Sequence, residues 1–139
     1  MADAVLLNKV ATIERCLERV RAEYRGDPRR LENETVLDSI VLNLQRACEA
    51  SIDLAMQVAA QHRLGVPQTS REAFDLLEKG GFADAVLAER MRRMVGFRNI
   101  AVHDYPRLSQ QVVLAIVQER LSDFEDLCRA VVRAPTGTD

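Results

Sequence analysis

Glycine and proline punctuate this chain at five places and almost nowhere between them. Gly26 stands with Pro28, Gly65 with Pro67, Gly80 with Gly81, Pro106 alone, and Pro135 with Gly137. Each of the five intervening segments places apolar residues at three- and four-residue steps, the period of a helix buried on one face. Only 6 Gly, 4 Pro and 4% aromatics occur in 139 residues, which also favours helices over a sheet. The expected fold is all-α: an antiparallel bundle of four main helices plus one short one.

The first segment runs from about Asp3 to Tyr24, with Val5, Ile13, Cys16, Leu17 and Val20 as its stripe. The second, about Thr35 to His62, turns Leu37, Ile40, Val41, Leu44, Cys48, Ile52, Ala55 and Ala59 inward. A short third helix follows Thr69-Ser70-Arg71-Glu72, a capping-box spacing, and carries Phe74, Leu76 and Leu77 up to Gly80. The fourth runs from about Asp84 to His103 on Leu87, Met91, Met94 and Val95. Ser109 caps a fifth that reaches about Val132, with Val113, Ile116, Val117, Leu121, Phe124, Leu127 and Cys128 inward. One domain over residues 1–134 and a frayed tail over 135–139 are expected.

Composition narrows the function classes. No apolar run approaches the roughly 20 residues that span a bilayer. The N-terminus carries acidic Asp3 and no basic-then-apolar signal, so the cytoplasm is the default compartment and no membrane partner is expected. Three cysteines, Cys16, Cys48 and Cys128, lie far apart in amphipathic stretches, which argues for buried free thiols. Two isolated histidines lack ligand spacing, so neither a metal nor another cofactor is expected. His62, near the end of the second helix, suits a dipole-complementing role. The net charge of −2 gives no global pull on nucleic acid, so any RNA contact must be local. Arg90, Arg92, Arg93 and Arg107 form the basic concentration nearest the candidate site.

That site is the string Arg98-Asn99-Ile100-Ala101-Val102-His103-Asp104-Tyr105, followed by Pro106. RNA carries its own nucleophile, the 2′-hydroxyl. Cleaving it takes a base for that proton and a cation for the charge growing on the phosphoryl oxygens. His103 suits the first task and the planar fork of Arg98 the second, with Asn99 placed to orient either. Five residues put the two side chains roughly 140° apart around a helix. Pro106 should end the helix near His103, hold Tyr105 extended with an accessible hydroxyl, and let the imidazole swing towards the guanidinium. Glu49 and Asp53, four residues apart on the second helix, either orient Arg98 or His103 or simply solvate that face. Gly96 permits a close approach, within one subunit or between two. Residue types alone also admit a non-catalytic helical module, a substrate-binding or regulatory subunit for another enzyme.

Arg98-x4-His103-x-Tyr105 resembles the R-x4-H-x-Y signature of the HepT toxins of HEPN/MNT toxin–antitoxin pairs. Leu44 to Glu49 and Met94 to Asn99 are similar to the same family, and the likeness spans essentially the whole chain. The resemblance implies an all-α homodimer acting as a metal-independent endoribonuclease, with two copies of the motif facing a groove. It assigns catalysis to Arg98 and His103 with Asn99 in support. It also implies an MntA-like nucleotidyltransferase antitoxin that transfers AMP to Tyr105, placing bulk and negative charge over the site.

Overall fold

The computed structural model describes residues 3–133. It is all-helical: α1 (Ala4–Tyr24), α2 (Glu34–Gln61), α3 (Ser70–Lys79), α4 (Ala85–His103), α5 (Gln110–Glu119) and α6 (Leu121–Arg133). Two 3₁₀ segments, Pro28–Glu32 and Tyr105–Arg107, lead into α2 and α5. The expected tail over 135–139 lies outside the described residues.

Local chemistry sets most of these boundaries. Asp3, Asn33, Thr69, Asp84 and Ser109 each stand just outside a helix in extended conformation. Their side chains accept bonds from first-turn amides that have no carbonyl partner. At α3 the Glu72 carboxylate returns a bond to the backbone N–H of Gln68, one residue earlier than a standard capping box. α1 closes on Arg25 and Gly26, both at positive φ, where glycine avoids a side-chain clash.

α1 and α2 form the longest packed pair, and α3, α4 and α6 close around α2. One core runs through them, from Ile13, Leu17 and Val20 in α1 to Phe124 and Leu127 in α6. Its largest wholly enclosed side chains include Phe74 and Phe124. The three cysteines are buried free thiols. Burial pushes all three thiols up, Cys128 to about 12.

Two expectations need correcting. The fifth helix is two: Arg120, at φ −120° and ψ 0°, interrupts it, although its N–H still bonds Ile116 O at 2.8 Å. Neither Gly nor Pro marks the break, and the buried positions keep their helical phase across it. The bend redirects α6 onto α1, α2 and α4 while α5 stays against α1 and the Pro28–Glu32 turn. Val5 is 48% exposed rather than inward, because Leu6, Val10, Ile13 and Leu17 define the centre of the α1 stripe and Val5 falls at its margin. The segment before α2 is an ordered 3₁₀ turn opened by Pro28 and capped by Asp27.

Candidate active site

α4 carries the motif on a continuous helix that ends where the sequence reading put it. His103 is its last residue, and the Asp104 N–H still reaches Ile100 O at 2.9 Å. Tyr105 is not extended. It opens the 3₁₀ turn, in which Arg107 N bonds Asp104 O and Leu108 N bonds Tyr105 O, both at 2.9 Å. Pro106 falls where its missing N–H costs no bond, so it starts the turn rather than forcing a strand.

The three signature side chains face different surroundings. Arg98 is half-buried, donates from Nη1 to Asn99 Oδ1 at 2.9 Å, and leaves Nε buried without a partner. Its charge is felt by the Cys48 thiol of α2: burial drives that thiol up, Arg98 pulls it back, and Glu49 adds to the rise. His103 is exposed at the helix end. α4 is continuous through Arg98 and His103, which sets their positions roughly 140° apart around its axis, and among the described residues no hydrogen bond joins them. The expected approach of the imidazole towards the guanidinium makes no hydrogen bond within one chain. Tyr105 is 40% exposed, and its hydroxyl donates to Asp38 Oδ1 on α2. Burial, then that bond and the nearby Asp38 and Glu34 charges, raise the phenol to about 12.

The acidic pair of α2 is engaged elsewhere. Asp53 forms an ion pair with Lys9 of α1 at 3.2 Å, and Glu49 accepts from Gln45 at 3.4 Å. Among the described residues neither reaches Arg98 or His103. His62 caps α2 and packs on the Phe82 ring at 4.6 Å between centroids.

The arginines divide. Arg92 is held by three carboxylates, Asp75 and Glu78 of α3 at 2.8 and 3.2 Å and Glu89 at 3.1 Å. It braces α3 against α4 and is set apart from the other cations. Arg90, Arg93 and Arg107 instead rim a cavity of about 530 Å³ between α4, α5 and the start of α6. Arg71 and Arg120, which the sequence reading did not single out, join that rim. Arg71 crosses from α3 over Gly96, where an added Cβ would meet Nη2 at 3.0 Å. Gly96 thus makes room for a guanidinium of its own subunit. Phe97, Ile100, Val112 and Ile116 supply apolar walls, so the cavity offers cations above a hydrophobic floor.

Asp123 lines the same cavity almost wholly buried, with neither carboxylate oxygen hydrogen-bonded and Arg90 Nη1 3.6 Å away. Burial raises its pKa and outweighs the pull of Arg90 and Arg120. Because its folded value lies above the ordinary 3.8, the ionised carboxylate costs stability above that window, and the cost disappears below it. Asp123→Asn is therefore expected to raise the thermal midpoint at pH 7, with the gain shrinking as pH falls from the raised folded value to the ordinary Asp range and absent below it. Thermal scans of both proteins at pH 7 and at low pH check this; a lower midpoint for the variant at pH 7 contradicts it.

Known proteins resemble this chain in sequence and fold. The family model described as "Ribonuclease HepT-like" matches residues 13–131. The chain is 44% identical over 121 residues to the mRNA nuclease HepT of Shewanella oneidensis, covering 87% of this chain and 91% of that protein. It superposes with a TM-score of 0.89 on a tri-AMPylated HEPN toxin of Shewanella oneidensis in complex with MNT antitoxin. That pair is 42% identical and covers 94% of this chain and 98% of the other. A toxin–antitoxin crystal structure with AMP-PNP gives the same score at 40% identity, covering 94% and 99%. Sequence and architecture agree over nearly the whole length of these proteins, and this chain belongs to the ribonuclease HepT-like family.

Proposed function

We propose that this chain is the endoribonuclease toxin of a toxin–antitoxin pair, active on messenger RNA and silenced when a nucleotidyltransferase antitoxin places AMP on Tyr105. The observation that carries the reading is Arg98, His103 and Tyr105 spaced over the last turns of α4 and the turn after it, in a chain of this family whose α4 also lines an arginine-rimmed cavity. The activity named for the Shewanella oneidensis relative and the AMP-bearing toxin–antitoxin neighbour support it.

In this reading His103 takes the proton of the RNA 2′-hydroxyl and Arg98 bridges the phosphoryl oxygens as negative charge grows on them. Asn99 holds the Arg98 fork in plane through their hydrogen bond. Arg90, Arg93 and Arg107 bring phosphates to a molecule whose overall charge of −2 would not attract them. The reaction uses the substrate's own nucleophile and needs no metal. A homodimer sets two motifs on one groove and doubles the local positive potential. It works in the cytoplasm; among the described residues no helix is long and apolar enough to cross a membrane.

The test is direct. Purified protein should cleave RNA in EDTA and spare DNA of the same sequence, and co-expression with the antitoxin should end cleavage while adding AMP masses to the peptide holding Tyr105. RNA left whole by the unmodified protein removes the nuclease reading. It would leave a substrate-binding subunit for the nucleotidyltransferase. AMP found on Tyr105→Phe would remove the assigned acceptor.

A further inference from the structure

The Tyr105 hydroxyl does not wait free in solvent. It is tied across 67 residues of sequence to Asp38, at the exposed start of α2. Glu34 lies one helical turn before Asp38 and acts on the same phenol through its charge. Both carboxylates are solvent-exposed, as Tyr105 is, so a partner enzyme can reach the pair without unfolding anything.

This geometry bears on how Tyr105 becomes a nucleophile. A phenol attacks phosphorus well only as its proton leaves. Two carboxylates beside it oppose formation of a free phenolate. With the phenol raised to about 12, roughly one molecule in 10⁵ is ionised at pH 7. A route through pre-formed phenolate is starved, whereas one that moves the proton during attack is not. The acceptor must lie within hydrogen-bond reach of the hydroxyl, and Asp38 Oδ1 already does.

We propose that Asp38 is the base for AMP transfer, so that this chain supplies part of the catalytic machinery of its own modification. The inference rests on Tyr105 being the AMP acceptor. In the step, Tyr105 Oη forms a bond to the α-phosphorus of a nucleoside triphosphate. The bond from that phosphorus to the β-phosphate oxygen breaks, its electron pair leaving with pyrophosphate. The Oη proton passes to Asp38 Oδ1 and then to solvent. The modified tyrosine can no longer donate to Asp38, and its phosphate stands beside two carboxylates, so modification also breaks the tie between the Tyr105–Arg107 turn and α2.

The experiment incubates wild type, Asp38→Asn, Asp38→Glu and Tyr105→Phe with antitoxin and ATP and follows adduct mass against time. Asp38→Asn keeps shape and exposure while removing the base. Its rate at saturating antitoxin is expected to fall at least about a hundredfold, with Asp38→Glu recovering part of the loss. Between pH 7.5 and 9.5 the wild-type rate should stay level. That of Asp38→Asn should climb about tenfold per pH unit as hydroxide replaces the missing base. Glu34 from α2, and Asp104 paired with Arg107 on the turn itself, are the other charges near Tyr105. RNA cleavage by unmodified Asp38→Asn should match wild type, since Asp38 takes no part in that reaction.

Labelling of Asp38→Asn at the wild-type rate and pH profile, with Tyr105→Phe unlabelled, overturns the base and leaves the acceptor standing. A defect cured by raising antitoxin concentration also overturns it, because Asp38 would then serve docking alone. Full labelling of Tyr105→Phe removes the acceptor and this inference together.

Discussion

Arg98→Ala and His103→Ala are each expected to slow RNA cleavage by roughly a hundredfold or more, while the fold survives. His103 is an exposed helix-terminal side chain without a hydrogen-bond partner among the described residues, so its removal opens no cavity. Arg98 is half-buried, but its Nε has no partner and its one hydrogen bond is to the neighbouring Asn99. Arg98→Lys separates charge from shape: an ammonium keeps the attraction and loses the planar fork, so it should recover only part of the rate. The double variant should be little slower than the worse single one, since two groups acting in one step are not additive. The assay is a labelled RNA in EDTA, beside thermal scans of every variant. A 2′-deoxy nucleotide at the cleaved position should protect that linkage in wild type. Wild-type rates in both alanine variants would remove this pair from the chemistry.

How much of this could be read from the chain depended on distance along it. Helix starts were legible because a cap needs only a Ser, Thr, Asp or Asn within three residues of the amide it serves. Asp3, Thr69, Asp84 and Ser109 all do this. The end of α4 was equally plain from Pro106. The break at Arg120 was not, since Val113, Ile116, Val117, Leu121, Phe124 and Leu127 hold one helical phase through it and no residue there forbids a helix. Only packing of α6 on three other helices bends the chain at that point.

The candidate site divides in the same way. Arg98, His103 and Tyr105 sit within eight residues, so their shared helix end was visible. What surrounds them was not. Asp38 reaches Tyr105 from 67 residues away, and Arg71 arrives over Gly96 from another helix. No spacing rule encodes either approach. Arg92 shows both cases in one side chain: Glu89, three residues back, was a readable partner, whereas Asp75 and Glu78 on α3 are met only after folding. Arg92 therefore looked equivalent to Arg90 and Arg93 in sequence and is not equivalent in space.

Phe124→Ala should be the most damaging single truncation away from the site. The ring is fully enclosed in α6, the last helix to close the core over α1, α2 and α4. Losing it removes the transfer free energy of a phenyl ring and leaves a void that close-packed neighbours fill only in part, about 3–5 kcal/mol together. A domain of this size has roughly 5–15 kcal/mol in all, so the variant should still fold at 20 °C with little margin. Its midpoint should drop by roughly 10–15 °C. Val132→Ala, on the same helix but 51% exposed, should change stability by no more than about 0.5 kcal/mol. Denaturant melts of the three proteins measure this. Per folded molecule at 20 °C, RNA cleavage by Phe124→Ala should stay within about twofold of wild type, because α4 carries the motif and α6 contributes packing. A loss in Phe124→Ala no larger than that in Val132→Ala would contradict the enclosed position of the ring. A collapse of cleavage in fully folded Phe124→Ala would instead tie α6 to the chemistry through the cavity that Asp123 lines.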